Sequence, residues 1–472
     1  VLLLLPLLVF SIPLEQDDPP GRVTNLSGAP IEPSFPMYSG FLTAYDNGTK
    51  HELFYVLCEA IHGDPEKAPL IVWLNGGPGS SSLFGMFLIN GPYLIDAETQ
   101  ELRYNEFSWN QYANVLYMET PTGVGFSRSN NMANLTYNDA DTARINRWAL
   151  EDFMTDVHPR YFDRDFYITG ESYAGVYNPY FAREILQHIG AFTNSNFRGI
   201  AMGNAHTDDY TQTVASALQL YSMSMIPERY GKELFDAWEK IIDGQKPILS
   251  TELRNQIYVA RDAIGRDANY DFPLQCNIEA NHTAWHIAKP VYNAECNAEA
   301  LIETYMNRED VQIQLHVRTQ DQPAVRWRMS SDNVSYKYAL ESDTVPIYKD
   351  ILAAVNKTRQ EDFRILFYTG DMDLVCPPLQ VAFAARRIAE DNAMANHEAP
   401  SQWSYLENHA GAKTSYATND SRISVDVLTV RGASHMVPLT HPDRAFQMIN
   451  NFISAEKGTE IDYSKPIPRR KP

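Results

Sequence analysis

The sequence predicts an α/β fold: a mostly parallel central sheet with a helical cap inserted into it. Three observations predict this. Short apolar runs alternate with helix-like stretches as far as about Asn204, and that alternation stops between about Ala205 and Asn333, where helical patterns dominate. Strand-like runs then return and end in a final helix-like segment. Strands alternating with helices cover both faces of a parallel sheet, and an alternation that stops and resumes marks the middle block as an insertion. The expected organisation is a leader at 1–14, a first core part at 22–204, a helical insertion at 205–335, a second core part at 336–460 and a tail at 461–472.

In chain order, "VLLLLPLLVFSIPL" has the length of a signal-peptide apolar region and is shorter than the ~20 residues that span a bilayer. It lacks an initiator methionine and a basic start, which points to a truncated N-terminus, and cleavage is expected near Ser11. "LFYVLCEA" is strand-like. "LIVWLN" (Leu70 to Asn75), "ANVLYMET" (Ala113 to Thr120) and "DFYITG" (Asp165 to Gly170) are short, apolar strand candidates. "YNDADTARINRWALEDFMTDVHPRY" reads as a helix with an acidic start and a proline near its end. "GVYNPYFAREILQHI" and "YGKELFDAWEKII" are further helices. "FRILFYTG" (Phe363 to Gly370) and the alternating "ISVDVLTV" (Ile423 to Val430) are strands, and "PDRAFQMINNFI" is the last helix.

A formal net charge of −20 excludes the clustered basic face that a nucleic-acid partner requires; the one basic cluster is the terminal "PRRKP". After the leader no apolar run approaches membrane-spanning length, so a soluble protein of the secretory pathway is expected, secreted or lysosomal/vacuolar. Seven N-x-S/T sequons agree, at Asn25, Asn47, Asn134, Asn281, Asn333, Asn356 and Asn419; composition alone would give roughly three or four. The four cysteines contain no C-x-x-C, so zinc and thioredoxin chemistry are unsupported. Cys276 and Cys296 bracket a short polar segment, an arrangement that fits a local disulfide in an oxidising compartment. Cys58 reads as a buried thiol.

"ITGESYAG" (Ile168 to Gly175) places Ser172 between a strand and a helix. It misses the strict G-x-S-x-G pattern because Ser+2 is Ala174, with Gly175 just beyond. Small residues are needed there because a nucleophile elbow brings neighbouring backbone close. Alone, such a string more often marks a plain turn, so partners decide. Hydrolases on an α/β sheet present serine, acid and histidine in that order at strand ends. After Ser172 the strand "FRILFYT" ends in "GDMD" and "ISVDVLTV" ends in "RGASH". Ser172 is the candidate nucleophile, His435 the general base and then acid, and Asp373 the group that orients the imidazole. Asp371 and His441 are the rivals. The loop "WLNGGPGSSS" supplies oxyanion donors, and the backbone N–H groups of Gly77 and Tyr173 are the choice.

Together "WLNGGPGSSS", "ETPTGVGFSRS", "GESYAG", "GDMD" and "GASHMVP", with "RVTNLSG", "MYSGFL" and "YMNREDVQIQLHV", resemble the serine carboxypeptidases of the α/β-hydrolase class. The resemblance runs from about Arg22 to Ile453. It implies release of C-terminal amino acids through an acyl-enzyme, without metal or cofactor, with peptide or protein C-termini as substrate, and it leaves room for a homodimer. It favours Asp373 over Asp371, and it implies that Asn75, Gly76 and Glu171 bind the substrate carboxylate. A carboxyl beside a carboxylate must share a proton, so acidic pH is expected to favour binding.

The sequence departs from the family in three places. Ile89 stands where a second glutamate precedes "GP", Ser80 replaces the "GPGC" cysteine and Arg128 replaces a tyrosine. Cys376 matches a free cysteine found near the pocket of some members and reads equally as a plain buried thiol. Two other readings are an acyltransferase on the same fold, in which the "NGG" asparagine and the glutamate before serine tend to change, and a mainly protective binding protein. Both of those residues are intact here.

Overall fold

The structure is a computed structural model that describes residues 20–31, 34–133, 135–192, 196–265, 269–272, 298–331, 334–337, 343–358, 362–396 and 400–468. The leader run, Cys276, Cys296, the sequons at Asn134, Asn281 and Asn333, and the last four residues of the tail lie outside the described residues.

The sheet is built from β1 (Met37–Asp46), β2 (Thr49–Cys58), β3 (Leu70–Leu74), β4 (Asn114–Met118), β5 (Asp165–Glu171), β6 (Asn196–Gly203), β7 (Phe363–Gly370), β8 (Asn408–Ala417) and β9 (Ile423–Val430). Their spatial order is β1-β2-β4-β3-β5-β6-β7-β9-β8, with short strands at Arg128–Ser129, Ala395–Asn396 and Ser401–Tyr405 on its margins. The six inner strands, β4 to β9, pair in parallel. The flanks are antiparallel. The mostly parallel sheet is as expected, and the inner strands are buried along almost their whole length because both faces are covered. In β5, Phe166 and Ile168 enter one core while Tyr167 enters the other.

Helices α1 (Asp139–Asp152) and α2 (Ala174–Gln187) pack on one face with α8 (Val345–Thr358) and α9 (Pro378–Asp391). The acidic start of α1 is explained by its cap: the Asn138 side chain accepts from Asp141 N at 2.9 Å, with Asp139 and Asp141 at the positive end of the helix dipole. The other face is covered by Met86, Phe87, α6 (Ala298–Met306), α7 (Glu309–Gln314) and the final helix α10 (Pro442–Ser454) around Trp73 and Trp109. Between β6 and α6, helices α3 (Asp209–Ser222), α4 (Gly231–Ile242) and α5 (Thr251–Ile264) form a third apolar cluster that includes Leu374 from the loop after β7.

Three of these nine strands are not evident in the sequence pattern: β1, which forms a hairpin with β2 across Asn47-Gly48, both at positive φ (+46° and +79°), β6, which lies between β5 and β7, and β8 at the flank.

Candidate active site

β5 ends at Glu171 and α2 begins at Ala174, which leaves Ser172 on the turn between them. Ser172 has φ +61°, a strained value for a residue with a Cβ. The turn is held from one side: Ser172 N donates to Gly203 O and Ser172 O accepts from His206 N, both at 2.9 Å. A Cβ on Gly170 would lie 2.6 Å from Ala174 Cβ, and one on Gly175 would lie 2.3 Å from His206 O. The second obligatory glycine is therefore Gly175, one position later than the strict motif puts it.

Asp373 follows β7 and His435 follows β9, at the same end of the sheet to which β5 delivers Ser172. His435 Nδ1 lies 2.6 Å from Asp373 Oδ2, and both residues are buried. Asp373 also accepts from Asn204 Nδ2 at 2.8 Å, Cys376 N at 3.0 Å and Val375 N at 2.8 Å. A carboxylate receiving donors on every side is the acceptor toward the imidazole too, so Nδ1 carries the proton and Nε2 keeps a lone pair. Burial works against the imidazolium, but the charge and hydrogen bond of Asp373, helped by Glu171, outweigh it and raise the His435 pKa. Of the rivals, Asp371 accepts from Gly432 N at 2.6 Å and ties two loops together, while His441 stands at the start of α10.

Asn204 and Tyr270 were not singled out in the sequence. Asn204 takes its position from β6: its side chain bridges Asp373 and the Gly370 amide, and its own amide donates to Tyr368 O. Tyr270 packs its ring edge-on to His435 at 5.1 Å and accepts His435 N through its carbonyl at 2.8 Å.

The loop after β3 closes on the elbow. A Cβ on Gly76 would lie 2.4 Å from Tyr173 N and 2.9 Å from Ser172 Cβ, so only glycine fits, and Gly77 follows at φ +110°. The candidate oxyanion residues Gly77 and Tyr173 thus flank one close approach. Asn75 Oδ1 accepts from Trp73 Nε1 at 2.8 Å and Gly85 N at 3.0 Å, which fixes its amide and turns Nδ2 to Glu171 Oε1 at 2.9 Å. Glu171 is buried, and its Oε2 has no hydrogen-bond partner among the described residues. Burial pushes its pKa up to about 7, with Asp373 adding to the rise and His435 and Asn75 opposing it. A second buried acid, Glu119 after β4, accepts from Phe126 N at 2.6 Å, Trp327 Nε1 at 2.9 Å and the Ser81 hydroxyl. It fastens the loop after β3 to the chain at Trp327.

Among the described residues one group brings metal-ligating atoms together: Asp373, Cys376 and His435 have donor atoms within 4.8 Å of one another. Two of the three already bond each other, and burial pushes the Cys376 thiol well above its ordinary value, so it stays protonated and is a poor ligand.

A family model for serine carboxypeptidases matches residues 28–455. The chain belongs to the serine carboxypeptidase family. It is 30% identical to the serine carboxypeptidase ctsa-3.1 of Caenorhabditis elegans, over 94% of this chain and 89% of that one. It is 32% identical to ctsa-4.1 of the same organism over 94% of each. Serine carboxypeptidase-like 25 of Arabidopsis thaliana is 30% identical over 96% of this chain and 94% of that one. Among solved structures, the prohormone-processing carboxypeptidase Kex1 of Saccharomyces cerevisiae superposes with a TM-score of 0.64 at 20% identity, over 88% of this chain and 90% of that one. The shared architecture is the α/β-hydrolase fold.

The departures of this serine carboxypeptidase can be located. Ile89 is fully buried in the apolar layer that also holds Trp73 and Tyr368. Ser80 forms an isolated antiparallel bridge with Ser330, their hydroxyls 3.5 Å apart. Arg128 is on the surface, paired with Glu52 at 2.8 Å and stacked on Phe41. Cys58 and Cys376 are buried free thiols, and Gln212 Nε2 lies 3.5 Å from Cys376 Sγ.

Proposed function

We propose that this serine carboxypeptidase releases C-terminal amino acids from peptides at acidic pH through an acyl-enzyme. The observation that carries the reading is Glu171. It is a buried acid directly before the nucleophile, with Oε1 held by Asn75 and Oε2 unpartnered. Below about pH 7 it keeps its proton and donates it in a hydrogen bond to the substrate's terminal carboxylate, with Asn75 and Gly76 as further donors. Above that pH the two carboxylates repel each other.

Ser172 Oγ attacks the carbonyl of the last peptide bond as His435 Nε2 takes its proton. The Gly77 and Tyr173 amides receive the oxyanion, and Asp373 stabilises the imidazolium. His435 then protonates the leaving amine, the terminal amino acid departs, and a water activated by His435 cleaves the ester to free the shortened peptide. Of the block at 205–335, the part with α3, α4, α5 and Tyr270 acts as a cap over the strand ends, which the contacts of Tyr270 with His435 and of α3 to α5 with Leu374 support. An acyltransferase is disfavoured because Asn75 and Glu171 are intact and hydrogen-bonded to each other.

Secretory passage is part of the proposal. Asn25, Asn47, Asn356 and Asn419 are exposed, as glycan acceptors must be, and among the described residues no helix is long and apolar enough to cross a membrane. Self-association as a homodimer is supported by the exposed apolar side chains Phe235, Ile242, Tyr258 and Val259 on α4 and α5; light scattering decides it.

The deciding experiment is digestion of free-acid peptides at mildly acidic pH with mass-spectrometric readout. Stepwise loss of C-terminal residues is expected, together with fluorophosphonate labelling, and both disappear in Ser172→Ala. Internal cleavage, or no cleavage by a labelled protein, overturns the reading.

A further inference from the structure

The sheet row that carries Glu171 holds a second polar side chain. Glu171 on β5 is in register with Gly203 on β6, and Gly203 is in register with Tyr368 on β7. Residues in register on parallel strands point to the same face, so Glu171 and Tyr368 share a face with a bare glycine between them. The Tyr368 ring lies across that gap: a Cβ on Gly203 would come within 2.5 Å of Tyr368 Cε2 and 2.8 Å of its hydroxyl oxygen. The hydroxyl therefore sits over β6, the strand between Tyr368 and Glu171.

Tyr368 is fully buried, and its hydroxyl has no partner among the described residues. Glu171 Oε2 is in the same condition. Buried polar atoms are nearly always paired, and these two stand in one row on one face. Ile89, where relatives carry a second glutamate, belongs to the same layer and offers no polar atom.

We infer that Tyr368 is a positioning residue for Glu171, its hydroxyl supplying, directly or across one water, the partner that the side chain at position 89 does not. The inference rests on the carboxypeptidase reading and deepens it. Toward ionised Glu171 the hydroxyl donates. Toward the neutral acid it accepts the Oε2 proton, which is thus held on the oxygen opposite the one bonded to Asn75, ready for a substrate carboxylate. Donation to the ion is the stronger of the two bonds, so Tyr368 keeps Glu171 more acidic than burial alone would. The other groups that act on Glu171 are His435 and Asp373, at the ends of β9 and β7, and Asn75 after β3; on β6 its register partner is Gly203. Burial, with the Glu171 charge second, holds the phenol itself protonated throughout.

The test is the pH profile of kcat/KM for Tyr368→Phe and the native enzyme, with two substrates: an N-acyl dipeptide acid, and an N-acyl amino-acid ethyl ester, which has no terminal carboxylate. The alkaline limb for the acid is expected to move up by about half a pH unit or more, through KM, with kcat at pH 5 unchanged and the alkaline limb for the ester unmoved. An unmoved limb overturns the inference. So does an equal shift for the ester, which would report on His435. If the native enzyme leaves the dipeptide acid intact, the carboxypeptidase reading has failed instead. Should the Phe variant not fold, infrared spectra of the native protein decide. The neutral carboxyl band, assigned with Glu171→Gln, must lie where an acid hydrogen-bonded at both oxygens absorbs, and the position of an acid bonded only through its Oε1 contact with Asn75 would overturn the inference.

Discussion

Glu171 and His435 titrate as a coupled pair. The Glu171 charge helps to raise the His435 pKa, and the His435 charge lowers that of Glu171. When Glu171 takes up its proton, His435 loses a negative neighbour and becomes easier to deprotonate, so the form proposed to bind a substrate carboxylate also eases the imidazole toward its neutral, basic form. Ile89 is where this arrangement differs from relatives. Ile89→Glu would place a second acid in the same layer, and the variant is expected to prefer free C-terminal acids over matched esters more strongly than the native enzyme. Equal preference ratios at pH 5 would remove Ile89 from any account of carboxylate recognition. At this scale the placing of Ser172, Asp373 and His435 at strand ends was legible because each follows a strand that could be read as one. Asn204 and Tyr368 were not, because each faces a residue one or two strands away in the sheet but far away in the chain, and sheet order is not written in local pattern.

The loop after β3 carries Asn75, Gly76 and Gly77, and its far end is pinned to the chain at Met329–Ser331. Ser81 N donates to Met329 O at 2.8 Å, Ser331 N donates to Gly79 O at 3.2 Å, and Ser80 pairs with Ser330. Relatives carry a cysteine at the position of Ser80; here two serine hydroxyls face each other. The double variant Ser80→Cys with Ser330→Cys is expected to close a disulfide on oxidation, with loss of two titratable thiols and stabilisation of about 2–4 kcal/mol that a reductant reverses. Two thiols that stay reactive under oxidising conditions would mean that the loop does not hold this approach. Element by element, the sequence was readable where apolar runs were uninterrupted, as in β5, β7 and β9. β6 was missed because "NFRGIAMG" contains two glycines and so reads as a loop. Both are demanded by packing: a Cβ on Gly199 would meet Arg364 O at 2.1 Å, and one on Gly203 would meet the Tyr368 ring. The β1–β2 hairpin had a usable signal, Asn47-Gly48 at its tip, since both residues adopt the positive φ that a two-residue turn requires.

The buried acids also set how the whole molecule responds to pH. Glu119 and Glu171 are both raised from 4.5 to about 7, in each case by burial first. An unfolded chain loses these protons near pH 4.5, whereas the folded one keeps them to about 7, so folding takes up protons between the two values. Their contribution to stability is complete below pH 4.5 and is lost as pH rises through about 7, on the order of 3 kcal/mol for each fully buried carboxyl. Urea midpoints are therefore expected to fall from pH 5 to pH 8, the direction that suits the proposed activity at acidic pH. The formal charge of −20 pushes the same way, because self-repulsion grows as the remaining groups ionise. Salt separates the two causes: exposed charges are screened at 0.5 M, whereas a carboxyl sealed between Phe126, Trp327 and Ser81 is not. The fall should persist in high salt and flatten in part in Glu119→Gln, even though that variant starts from a lower midpoint. A midpoint that rises steadily over this range, or a fall abolished by salt alone, would show that the buried acids do not set the pH response.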